Sequence, residues 1–178
     1  MPNYAFSYQI NKNCRKGLIM KKLLLVVALL GTLGSSTLMA EILNKMVLIK
    51  EARKDVGEMI PKQLKHLLDE GEDIIVLDVR ESEERAEGSI PFDEFNKENF
   101  ISITRGNLEW KVANKIQDPD VKIVTYCRSG GRGALAAEVL KKMGYKNATT
   151  LKGGLKGWVK AGYPVKTGLG EVILPKEK

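Results

Sequence analysis

Apolar residues fall into short blocks between charged and glycine-rich stretches, and their period changes from block to block. Ile74-Ile75-Val76-Leu77 is continuously apolar, as expected of a strand buried on both faces of a parallel sheet. Val121 to Tyr126, rich in β-branched residues, predicts a second strand, and Phe100–Ile103 and Ala148–Leu151 predict two shorter ones. Helical spacing fills the gaps. Ile60, Leu64, Leu67 and Leu68 share one stripe, with Pro61 in its first turn and Gly71 just past its end. Leu108, Val112 and Ile116 predict a helix that Asp118-Pro119-Asp120 stops. Ala136, Val139, Leu140 and Met143 predict another, closed by Lys141, Lys142 and Gly144. Glu81 to Gly88 reads as a helical turn or two, and Gly153-Gly154 opens a last helix that contains Trp158 and ends at Gly162-Tyr163-Pro164. Strand and helix alternate, which argues for an α/β fold whose parallel sheet is covered on both faces.

The start of the chain has a different character. Met20-Lys21-Lys22, the apolar run Leu23 to Leu30 and the small-residue exit up to Ala40 have the form of an export signal. The run is short of the roughly 20 residues of a membrane span, so cleavage between Ala40 and Glu41 is expected, with retention as an anchor the alternative. Residues 20–40 are then the signal proper, and Met20 is read as the initiator behind residues 1–19. Residues 41–59 mix apolar and charged positions without a clean period and read as a short adapter packed on the domain, residues 60–164 as one domain, and residues 165–178 as a loose tail.

This division changes the charge. The chain has 29 Lys and Arg against 22 Asp and Glu, a net of +7. Five of the positive residues (Lys12, Arg15, Lys16, Lys21, Lys22) and no acidic one precede Glu41, leaving 24 against 22 and a net of +2. No basic run interleaved with aromatics remains, so nucleic acid is not an expected partner. Of the two cysteines, Cys14 lies upstream of the signal, and Cys127 is left alone in the mature chain. It can form no internal disulfide, and without other cysteines no thiolate cluster for a metal. A small buried hydrophobe is the plain alternative, but its loop is polar and glycine-rich. His66, the only histidine, falls off its helical stripe and reads as a surface residue.

Cys127 follows the strand run and is itself followed by Arg128-Ser129-Gly130-Gly131-Arg132 and a helix. A strand feeding a tight loop that opens a helix aims several N–H groups into one bowl at the positive end of the helix dipole. A cysteine at the lip of that bowl, between two arginines, is expected to favour the thiolate. Asp78-Val79-Arg80-Glu81 follows Leu77 at the carboxyl end of its strand, where ligand-facing loops of open α/β sheets collect.

Leu77-Asp78-Val79-Arg80-Glu81, then Cys127 to Arg132, then Gly153-Gly154-Leu155-Lys156-Gly157-Trp158 occur in a fixed order. Together they closely resemble a single-domain rhodanese, a sulfurtransferase, from about Ile60 to Pro164. The resemblance implies a five-stranded, mostly parallel sheet with helices on both faces. It implies Cys127 as the catalytic sulfur carrier, passing sulfur through a persulfide, with no metal and no other cofactor. Arg128, Ser129, Gly130, Gly131 and Arg132 would bind the substrate, the two arginines steering an anionic donor. Asp78 and Arg80 would brace the site, and Trp158 would help wall the pocket. The implied partners are thiosulfate or polysulfide as donor and a thiol, cyanide or a protein as acceptor, with room for a homodimer. The family often has Gly-His-Ile where this chain has Gly88-Ser89-Ile90, a departure that bears on local packing. Arg105, in a stretch similar to one in exported members, could reach the pocket or serve the surface.

Rivals share parts of this pattern. Cysteine phosphatases and arsenate reductases have five residues between cysteine and arginine, whereas Cys127 and Arg132 are separated by four, a narrower bowl. A binding-only module would have no use for the thiolate. A sulfur carrier delivering to a dedicated partner would share the chemistry and differ in acceptor.

Overall fold

The structure, a computed structural model, describes residues 42–174. The expected export signal, residues 20–40, falls outside the described residues. The elements in chain order are α1 (Lys45–Val56), β1 (Glu58–Met59), α2 (Pro61–Asp69), β2 (Ile74–Asp78), α3 (Ser82–Ala86), β3 (Phe100–Ser102), α4 (Leu108–Lys115), β4 (Lys122–Tyr126), α5 (Gly131–Lys142), β5 (Ala148–Leu151), α6 (Gly154–Lys160), β6 (Val165–Thr167) and β7 (Gly170–Val172). The first five strands form one sheet in the order β1-β5-β4-β2-β3, and every pairing in it is parallel rather than mostly so.

Both faces are covered, and strand alternation decides which residue goes where. Along β2 and β4, Ile75, Leu77, Ile123 and then Cys127 join a core with Val56, Leu108, Val112, Ala136, Ala137 and Leu140 from α1, α4 and α5. Ile74, Val76, Val124 and Tyr126 point to the other face and pack with Leu64 and Trp158 from α2 and α6. Burying one such leucine or isoleucine stabilises by about 1.5–3 kcal/mol. Close approach of α5 to the sheet needs Gly133, where a Cβ would stand 2.7 Å from Thr150 Oγ1. Thr125 Oγ1 in turn donates to the Gly133 carbonyl at 2.8 Å.

Three sequence expectations need correction. The adapter at 41–59 is helix α1 followed by β1, and β1 is the edge strand of the main sheet. The sheet therefore starts before residue 60. Asn44 caps α1 by accepting from Met46 N–H at 2.8 Å, and Gly57, at φ 73, ends it. The tail is not loose over its described part. Buried Val165 anchors an antiparallel pair, β6 with β7, to the second core. Lys166 bridges to Ser89, so the Gly88-Ser89-Ile90 segment packs tightly without a histidine, with Ile90 fully buried. Finally, Ile60 precedes α2 and is exposed rather than part of its buried stripe. His66 is exposed, as expected, 3.8 Å from Glu70. Among the described residues no helix is long and apolar enough to cross a membrane.

Candidate active site

The site grows from the carboxyl end of β4. Cys127 follows Tyr126, and Gly130, at φ 90, turns the chain into α5, a left-handed backbone that glycine adopts without strain. That turn aims the Gly130 N–H at Cys127 Sγ, 3.2 Å away. The cysteine does not sit at the lip of the bowl. It is 1 % exposed, because strand parity sends its side chain to the same face as Ile123, beneath the start of α5. It is buried among core residues, yet a backbone amide faces the sulfur.

A second glycine turn supports the first. Leu155 N–H donates to the Cys127 carbonyl at 2.8 Å, and Lys156 N–H to that of Arg128 at 3.0 Å. The two loops touch so closely that a Cβ on Gly154 would lie 2.3 Å from Cys127 O. Gly153-Gly154 is thus the floor of the cysteine loop. Trp158 is a correction: it does not wall the sulfur. It belongs to the core on the opposite sheet face, where its Nε1–H donates to the Pro164 carbonyl at 2.7 Å.

The upstream signal works through a buried ion pair. Arg80, 1 % exposed, donates to Asp78 through Nε and, at 2.7 Å, through Nη2. Nη2 also reaches the Gly88 carbonyl at 2.8 Å, and Nη1 the Glu84 carbonyl at 3.0 Å. Burial disfavours the charged guanidinium, but the Asp78 hydrogen bond and charge outweigh it and hold Arg80 above its ordinary value. Tyr126, over whose ring Arg80 stacks at 5.4 Å, is pushed up by burial and then by Asp78.

Arg80 thereby fixes α3, which carries acids that the sequence pattern did not single out. Glu84 accepts two hydrogen bonds from Arg132, both 2.6 Å. Glu87 lies 3.9 Å from Arg128, both side chains being half-exposed. Ser129 is exposed, and Gly131 and Arg132 are partly buried. Arg105 is engaged with Glu109 at 3.0 Å through both carboxylate oxygens, while its backbone N–H donates to Val79 O.

The Glu84–Arg132 pair makes a pH prediction. The Arg132 hydrogen bonds lower Glu84 from 4.5 to about 2, against an opposing effect of burial. Arg132 is raised chiefly by Glu84, against burial, and further by the Cys127 sulfur. A carboxylate whose folded pKa lies below its unfolded one stabilises the fold above the unfolded value and loses that contribution as pH falls through the folded one. Wild type should therefore exceed Glu84→Gln in stability at pH 7, with the gap closing between pH 4.5 and about 2. Urea melts at several pH values check this; a gap that stays constant would contradict it.

Residues 60–161 match the rhodanese-like domain family. The chain belongs to that family. Among its relatives, a sulfurtransferase from Allochromatium vinosum is 30 % identical over 110 residues, 62 % of this chain and 94 % of the relative. The polysulfide-sulfur transferase of Wolinella succinogenes, a homodimer, superposes with a TM-score of 0.56 at 32 % identity, covering 67 % of this chain and 84 % of that one. A Rhodopseudomonas palustris protein of unknown function, described as a possible tyrosine phosphatase, superposes with a TM-score of 0.60 at 28 % identity, over 71 % and 98 % of the two chains. The rhodanese domain and its sulfurtransferase relatives support sulfur transfer as the general activity. In this rhodanese the three sequence signals meet physically: the Gly153-Gly154 turn floors the cysteine loop, and the Asp78–Arg80 pair holds the acidic helix against it.

Proposed function

We propose that this rhodanese takes sulfane sulfur from a small anionic donor, thiosulfate or polysulfide, and passes it to a thiol or cyanide through a persulfide on Cys127. In the first step the Cys127 thiolate attacks the outer sulfur of thiosulfate, a sulfur–sulfur bond forms at Sγ, and sulfite leaves with the electron pair of the bond that breaks. In the second, cyanide attacks the outer persulfide sulfur, thiocyanate leaves, and the thiolate returns. No metal and no organic cofactor enters either step.

The observation that carries this reading is the Gly130 amide aimed at Sγ from the turn that opens α5. A persulfide bond of about 2 Å would carry the reactive sulfur outward from a cysteine that is otherwise buried, so burial suits a small donor and acceptor. Against a phosphatase stand the shorter loop, with four residues between Cys127 and Arg132, and the two bonds that tie the Arg132 guanidinium to Glu84. The Lys21-Lys22 start, the apolar run and Ala40 support export and cleavage before Glu41, which would place the enzyme in the periplasm. Initial rates with thiosulfate and with polysulfide, each at saturating cyanide, test the assignment. Saturable turnover with at least one donor is expected; none with either, in a folded protein, would refute it.

A further inference from the structure

Helix α1 precedes the matched family domain, yet it lies directly on the cysteine loop. Ile49 and Arg53, four residues apart, face the two loop glycines. A Cβ on Gly131 would stand 3.0 Å from Ile49 Cδ1, and one on Gly130 would stand 3.4 Å from Arg53 Nη2. The guanidinium of Arg53 is therefore next to the residue whose amide touches the sulfur.

The three arginines around the loop differ in what already occupies them. Arg132 is taken by two short bonds to Glu84, and Arg128 projects into solvent opposite Glu87. Arg53 has Glu58 Oε1 3.3 Å from its Nε, but without hydrogen-bond alignment, and that Nε is buried with no hydrogen-bond partner. Among the described residues its two Nη groups make no hydrogen bond. A guanidinium presents five N–H donors in a fixed fork that suits oxyanions. Here the Nε edge is buried against Glu58, and the two Nη groups of a side chain one-third exposed are left to receive an oxyanion beside the sulfur loop.

We propose that Arg53 receives the anionic end of the sulfur donor and so sets a preference of Cys127 for anionic over neutral electrophiles. The identity of the donor rests on the sulfur-transfer reading; the anion preference does not. Two electrophiles of nearly equal size separate the matters, iodoacetate and iodoacetamide. With either, the thiolate displaces iodide as the sulfur–carbon bond forms, and only the reagent's charge differs. In the full chain, alkylation is followed on the peptide that holds Cys127, apart from the one that holds Cys14.

Arg53→Gln should lower the iodoacetate-to-iodoacetamide rate ratio about tenfold, the scale of one lost charge-assisted hydrogen bond. The iodoacetamide rate should stay unchanged, and the KM for thiosulfate should rise by a similar factor. Arg53→Lys, which keeps the charge, should restore most of the ratio. An unchanged ratio in Arg53→Gln would overturn the proposal, and so would equal loss with both reagents, the mark of a merely structural role. If the wild type never gains sulfur from any donor, the transfer reading falls, while the alkylation ratio still decides the role of Arg53.

Discussion

Cys127→Ser should lower thiosulfate-to-cyanide turnover by roughly three orders of magnitude or more, the usual scale of deleting a covalent nucleophile. Every transfer step proposed for this rhodanese forms or breaks a bond at that sulfur, and no other cysteine lies among the described residues. A serine hydroxyl is far too weak a nucleophile at neutral pH to substitute. The fold should survive, because the new oxygen occupies nearly the same volume and can accept the Gly130 N–H that now faces Sγ. A cost of about 1 kcal/mol is expected for burying the hydroxyl. Coupled measurement of thiocyanate formation and thermal melting checks both halves. Substantial activity in a homogeneous, folded variant would contradict the proposal.

Arg80→Met should be strongly destabilising, at about 3–5 kcal/mol. That is the cost of breaking a buried ion pair from one side, and this pair is buried on both: the side chains of Arg80 and Asp78 are 1 % and 4 % exposed. Asp78 would be left charged without a partner, and the Glu84 and Gly88 carbonyls would lose their donor. The melting temperature should fall by on the order of 10 °C. Adding Asp78→Asn should recover part of the loss, since it removes the orphaned charge. A fall of only a degree or two would show that water or another group reaches Asp78. Because the same guanidinium anchors α3, which carries Glu84 and leads into Glu87, thiosulfate turnover should drop as well.

The parts of the fold legible in the sequence are those with a local signal. The apolar run at Ile74–Leu77 and the β-branched run up to Tyr126 became interior strands, covered on both faces. The Cys127 loop was legible for the same reason, lying between a strand run and a helical stripe. What escaped has little local signature. Strand β1 is two residues long, and α1 carries its contiguous apolar run at Met46 to Ile49 yet buries only Ala52 and Val56. Glu84 and Arg132 pair across 48 positions, a distance over which no periodicity speaks. The burial of Cys127 was available in principle, since counting by twos from Ile123 puts it on a core face. The polar, glycine-rich loop that follows it points to an exposed position instead. Trp158 is the opposite case: its motif adjoins the cysteine loop through Gly154, but the ring turns to the other face of the sheet.

The central claim is that Cys127 carries the sulfur, and intact mass after mixing with thiosulfate or polysulfide tests it most directly. The wild type should gain the mass of one sulfur atom, mapped to the Cys127 peptide and lost on adding cyanide, while Cys127→Ser gains nothing. A wild type that never gains sulfur from either donor, or a serine variant that gains it equally, would contradict the account.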